Sequence, residues 1–178
     1  MNAWILDAAR TLFDQHGYHG VTRDDVCREA GTSLTTLHNH FISKQALAVA
    51  AFAPYVQAVI ESIETSVRET PEVKAREFII GLSAALIDHP AMAVALLPLS
   101  RDPRNAGPDE ELVVTLRQLA EFLGTLLDLS AIGIKCKPPT ADVAEFYLSG
   151  LLTWIVHHPG GSHLDAAELV LGPLSLHL

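Results

Sequence analysis

Apolar residues along this chain recur with the period of an α-helix, and no stretch alternates with the period of two that a half-buried strand needs. Ile5, Ala8, Ala9, Leu12 and Phe13 share one helical face, as do Leu47, Phe52, Val56, Ile60, Ile63 and Val67 further on. Leu112, Leu116, Leu119, Leu123 and Leu126 repeat the pattern between residues 109 and 127, and Val143, Tyr147, Leu151 and Trp154 do so between 140 and 157. The reading is an all-α protein of about nine helices. Hydrophobic residues make up 49% of the 178 and charged residues 19%, which is enough apolar material for a sizeable core and excludes a disordered chain.

Helix boundaries are written in small polar residues, glycines and prolines. Gly17 can take the left-handed conformation that stops a helix. Thr22 followed by Asp25 makes a capping box for a short second helix, which ends at Ala30-Gly31. Ser33 caps a third, roughly Leu34 to His40, and Ser43 caps a long fourth helix in which Pro54 predicts a kink or a break. Thr70-Pro71 opens a helix to about Ile87, His89-Pro90 interrupts, and another run reaches Leu99. Residues 101–108 and 130–139 read as loops. Ser162 and Asp165 form a second capping box before a last short helix, stopped by Gly172-Pro173.

The stretch from Val26 to Phe41 is the most specific. Two short helices joined by a turn containing glycine form a helix-turn-helix, whose second helix lies in a DNA major groove. Small Cys27 and Ala30 allow close approach, Gly31 supplies positive φ, and Val26 and Leu37 fill a small core with Leu12 and Phe13. Thr35, Thr36 and Asn39 then face outward with groups that bond base edges or phosphates. Charge is unhelpful here. The net charge is −9, and residues 1–52 hold four basic against five acidic residues, so the acid lies mostly beyond the head.

Over about the first 50 residues the sequence resembles the Tet repressor (TetR) family of bacterial regulators. The resemblance is carried by Ile5-Leu6-Asp7-Ala8-Ala9, Leu12-Phe13, Gly17-Tyr18, Thr22, Ala30-Gly31-Thr32-Ser33, Leu37-His38-Asn39-His40-Phe41 and Ser43-Lys44-Gln45-Ala46-Leu47. It implies a DNA-binding head at 1–47 and a helical effector-binding and dimerisation domain at 48–178. It also implies a recognition helix from Ser33 to His40, with Thr22 touching the DNA backbone and Lys44 a phosphate. The candidate DNA-binding residues are Thr22, Arg23, Ser33, Leu34, Thr35, Thr36, His38, Asn39, His40 and Lys44. Cys27, Thr32 and His38 depart from the alanine, valine and tyrosine usual in the family. The recognition helix carries no Arg or Lys, and no basic residue precedes Arg10.

Beyond the head, Phe78, Leu82, Met92, Phe122, Phe146, Tyr147 and Trp154 are candidates to line a pocket for a largely apolar small-molecule effector. His89, Thr115 and Gln118 would be its orienting polar groups, although each residue suits an ordinary core as well. Gly150, in the middle of a helix, predicts close approach of a neighbouring helix. That helix and the one at 109–127 are the candidates for a homodimer interface, which would space two recognition helices one DNA turn apart on a near-palindromic operator. His157, His158 and His163 lack metal-ligand spacing, and no nucleophile–base pair or phosphate loop is visible, so neither cofactor nor enzymatic activity is expected. Cys27 reads as a small core residue, and Cys136, between two lysines, as a surface thiol. Two cysteines, no signal-peptide pattern at Met1-Asn2-Ala3-Trp4 and no run of 18 apolar residues suit a cytoplasmic protein away from membranes. The expectation is a ligand-responsive DNA-binding regulator, a repressor released by its effector. The rival is a helical ligand-binding or interaction module with a weak or vestigial DNA-binding head.

Overall fold

The computed structural model describes residues 3–66, 70–101, 110–126 and 140–173. The described residues form nine helices and no strand. They are α1 (Ala3–Gly20), α2 (Arg23–Glu29), α3 (Leu34–His40), α4 (Lys44–Thr65), α5 (Pro71–Asp88), α6 (Pro90–Arg101), α7 (Glu110–Leu126), α8 (Thr140–His157) and α9 (His163–Leu171). Of the loop expected at 101–108, Arg101 still belongs to α6, and the rest lies outside the described residues, as do the loop expected at 130–139, with Cys136, and Val67.

In the head, α1 packs on α2 and α4, and α2 on α3. Ile5, Ala9, Phe13, Val21, Val26, Leu37 and Leu47 are buried in the core of the head. Gly17 adopts φ 69°, so the regular part of α1 stops there and a last turn follows to Gly20. The apolar interior then runs on without interruption through Ala48, Ala51 and Phe52 of α4 into the body. The division expected at 47/48 falls inside this helix.

In the body, α4 packs against α5, α6 and α7, α6 and α7 against α8, and α9 against α5 and α8. By length and composition α4 would suit a bilayer span, but it is the helix on which α1, α5 and α6 all rest, which accounts for its apolar character. Of the kink or break expected at Pro54, the break does not occur, and α4 runs through this position to Thr65. Proline removes one hydrogen bond, that to Ala50, and packing on several sides offsets the loss. α6 likewise continues through Pro98 to Arg101. His89-Pro90 does interrupt as expected, and the chain bends by 112° between α5 and α6. At Gly81 a Cβ would come within 2.8 Å of Val59, so the missing side chain permits α4 and α5 to close on each other. Gly150 behaves otherwise. A Cβ there would meet nothing within 4 Å, so no described neighbour approaches it.

Candidate nucleic-acid interface

The turn between α2 and α3 is built from backbone bonds. Thr32 N–H donates to Cys27 O at 2.9 Å and Gly31 N–H to Arg28 O at 3.4 Å, with Gly31 at φ 62°. This is the pairing that satisfies the last carbonyls of a helix when the chain reverses through a left-handed residue. α2 starts equally firmly. Thr22 Oγ1 accepts from Asp25 N–H at 3.2 Å, while Asp25 Oδ2 accepts from the Thr22 hydroxyl at 2.6 Å and its amide at 2.9 Å. These bonds from Thr22, with Arg28 nearby, hold the Asp25 carboxyl below its ordinary value of 3.8. Ser33 and Ser43 cap α3 and α4 by accepting from the Thr36 and Ala46 amides at 3.0 and 2.9 Å. Ser162 caps α9 too, but through the Leu164 amide at 3.1 Å rather than that of Asp165.

The candidate DNA-binding residues separate into an exposed row and a supporting set. Ser33, Leu34, Thr35, His38, Asn39 and His40 are exposed along α3, and Leu37 on the opposite side is fully buried. Thr36 is half-buried, its hydroxyl 2.9 Å from that of Ser33. Arg23 donates to Phe41 O at 3.0 Å and Ile42 O at 3.1 Å, and its Nη2 lies 3.4 Å from His38 Nδ1. A guanidinium only donates, so Nδ1 accepts and a neutral His38 carries its proton on Nε2, away from Arg23. Arg23 therefore pins the far end of α3 to the start of α2, a cation on carbonyls just past a helix C-terminus. Its Nε is buried without a partner. Lys44 Nζ sits 4.5 Å from the Tyr18 ring centroid, a cation–π contact, and burial lowers the ammonium pKa and raises that of the Tyr18 phenol. Cys27 is buried and its thiol pKa is raised by desolvation, consistent with a small core residue.

The head is joined to the body by contacts that have no local signature. Arg10 of α1 donates from Nε to Ala51 O at 3.0 Å and from Nη1 to Asp7 at 2.9 Å. Gln45 of α4 bonds the Ala95 carbonyl of α6. His89, at the α5–α6 bend, stacks on Phe52 at 4.8 Å and approaches Tyr55 at 4.0 Å, with Nδ1 3.2 Å from Asp14 of α1.

The candidate effector residues do not converge on one place. Phe78, Leu82 and Met92 are buried, and Phe122 meets Phe78 edge-on at 4.9 Å. His89 lies at the junction with the head. Gln118 is exposed, Phe146 is 75% exposed, and the Thr115 side chain lies outside the described residues. Tyr147 packs beside Phe146 at 5.7 Å, and Trp154 stacks on His158 at 4.7 Å. Phe146, Gly150, Trp154 and Leu169 border an open groove of about 400 Å³ on the outer side of α8 and α9. His157 and His158 Nδ1 lie 2.7 and 2.8 Å from the Thr153 and Trp154 carbonyls of their own helix.

Residues 5–51 match the family model described as bacterial regulatory proteins, tetR family. The chain is 26% identical over 181 residues to the HTH-type transcriptional regulator UidR of Escherichia coli K12, covering 84% of this chain and 91% of that one. Its fold is similar to that of FadR from Thermus thermophilus, a TetR-family repressor solved in complex with lauroyl-CoA (TM-score 0.73, 18% identity, 98% of this chain and 93% of that one). It is also similar to the transcriptional regulator FadR from Bacillus subtilis in complex with stearoyl-CoA (TM-score 0.68, 17% identity, 98% and 97%).

Proposed function

We propose that this chain is a member of the TetR family of bacterial transcriptional regulators, whose model its residues 5–51 match, and that it is a homodimeric repressor that binds DNA and leaves its operator when an effector with a long apolar portion enters the body. The observation that carries the reading is the row Ser33, Leu34, Thr35, His38 and Asn39, exposed on a helix whose ends are held by a serine cap and by Arg23. A polar row of this kind on a rigidly seated short helix suits groove insertion. Thr22 and Lys44, engaged with Asp25 and Tyr18, act in this reading by seating α2 and α4 near the DNA backbone. A regulator of bacterial genes works in the cytoplasm, where the chromosome is.

The acyl-CoA complexes of the two FadR proteins support an acyl chain as the effector's apolar portion. Phe78, Leu82, Met92 and Phe122 line the interior that such a chain would enter. They are closely packed, so entry must separate α5 and α6 from α7, favouring a second state in which helix positions differ. His89 lies three residues before Met92, at the bend that this separation would strain, and its contacts with Asp14, Phe52 and Tyr55 carry the shift to α1 and α4. For the dimer, the exposed apolar residues Phe146, Leu164 and Leu169 and the open Gly150 favour α8 with α9 over the pairing of α7 with α8 expected from the sequence. Within one chain α7 and α8 already pack on each other.

The test is a mobility-shift titration on the DNA beside the protein's own gene, repeated with long-chain acyl-CoA and with free CoA. A shift that acyl-CoA reverses and free CoA does not is expected. A shift indifferent to acyl-CoA overturns the effector, and no shift on any DNA favours the rival, an interaction module with a vestigial head. The observations on the rival's side are the weak basic charge of the head and the absence of Arg and Lys from α3.

A further inference from the structure

We infer that the operator half-site is A·T at the base pairs under α3, read through thymine methyl groups and an adenine rather than through guanine. The inference rests on the regulator reading and specifies the DNA it requires. From residue 33 to residue 43 there is no Arg or Lys. The nearest guanidinium, Arg23, is occupied by the Phe41 and Ile42 carbonyls. Guanine shows two acceptors in the major groove, and the contact that singles it out is a bidentate cationic donor, which this surface lacks. Its exposed groups match the other purine–pyrimidine pair. Leu34 and Ile42, at opposite ends of α3, are 47% and 48% exposed. Large aliphatic side chains beside a groove gain by covering the thymine C5-methyl, an apolar feature of the T edge that C lacks.

Two polar residues sharpen the assignment. Asn39 is exposed and its amide has the donor–acceptor pair that fits adenine N7 and N6. Thr35, next along the exposed row, offers a second methyl group. Thr36 is removed from the readout because its hydroxyl pairs with Ser33. His38, with Nδ1 turned to Arg23, offers one donor from Nε2, which can bond a thymine O4 or a guanine acceptor but cannot select between them. Ile42 follows α3, and the Arg23 bond to its carbonyl fixes the backbone that presents it.

The experiment selects binding sites for the full-length protein from a duplex pool with a randomised core. It then compares the best site with versions carrying uracil in place of single thymines, which removes only the methyl. Expected are half-sites dominated by A·T in the core, a loss of about fourfold per contacted methyl, the factor for burying one such carbon, and no uracil effect at the Leu34 position in the Leu34→Ala protein. Leu34→Arg, at an exposed site that leaves folding intact, should move one core position towards guanine. Half-sites with G·C in the core, or binding indifferent to uracil at every thymine, overturn the inference while leaving the regulator reading in place. A pool from which nothing is enriched overturns both.

Discussion

The head and the body are both helical and share one apolar interior, yet they are held differently. In the head, directional bonds specify geometry residue by residue. Thr22, Asp25, Ser33 and Ser43 fix three helix starts, Gly31 fixes one turn, and Arg23 closes the far end of α3. In the body, the described helices α5 to α9 are positioned mostly by apolar burial, and Ser83 is the only buried polar side chain there among the described residues, its hydroxyl bonded to Ile79 O of its own helix. A surface that must match DNA gains from rigidity. An interior proposed to admit a ligand gains from packing that has few directional bonds to break.

The comparison breaks first at Phe52, which belongs to both regions. Phe52→Ala removes a fully buried ring that touches Phe13 in the head and His89 in the body. The expected cost is about 3–5 kcal/mol in denaturant unfolding, with DNA binding lost together with body stability. Loss of one without the other would mean that the regions are not joined there. Arg23→Ala comes next. Two charge-assisted bonds vanish from a half-exposed site, and about 2 kcal/mol of stability should go with them. Affinity should fall by a similar factor on every operator variant, because the residue positions α3 without reading bases. A change confined to one base position would instead place Arg23 in the groove.

Two glycines test the contrast with opposite signs. Gly31→Ala puts a Cβ on a left-handed residue with open space around it, so backbone strain alone should cost about 1–2 kcal/mol. Gly150→Ala, in the middle of α8 with nothing nearby, should stabilise the monomer by about 1 kcal/mol through helix propensity. Weaker dimerisation in the same Gly150→Ala protein, read by sedimentation, would show that a partner helix comes close at this point. The smallest effect is expected at Asp25. Its folded pKa is depressed by Thr22, so its contribution is whole above the ordinary value of 3.8 and is lost as pH falls through the lower folded value. Asp25→Asn should therefore flatten the acid limb of the head's unfolding profile below about pH 4 and leave neutral DNA binding nearly unchanged.

Legibility differed between the regions for a physical reason. Caps and turns act over three or four residues, so Thr22 with Asp25, the glycine turn at 31 and the start of α3 were all readable from neighbours in the chain. Whether the helix continues past Pro54 was not legible from its neighbours, because a single lost hydrogen bond is outweighed by burial of Leu47, Phe52 and Val56 along the same helix. The contacts that His89 makes in the fold have no counterpart among its neighbours in the chain. Its partner Asp14 lies 75 residues away, and no local signal could have paired them. The groove residues Phe146 and Trp154 share a helical period with core residues of α8 and differ from them only in which side the neighbouring helices cover.

From the order of its amino acids alone, this chain was bound to be helical, to begin with a helix-turn-helix and to present Thr35, His38 and Asn39 on one short helix, because those outcomes depend on periodicity and on bonds between near neighbours. Tertiary packing decided that Arg23 braces α3, that Ile42 reaches the surface and that His89 couples the bend to the head. Those outcomes depend on which distant residues meet once the apolar faces are buried, and burial is indifferent to distance along the chain.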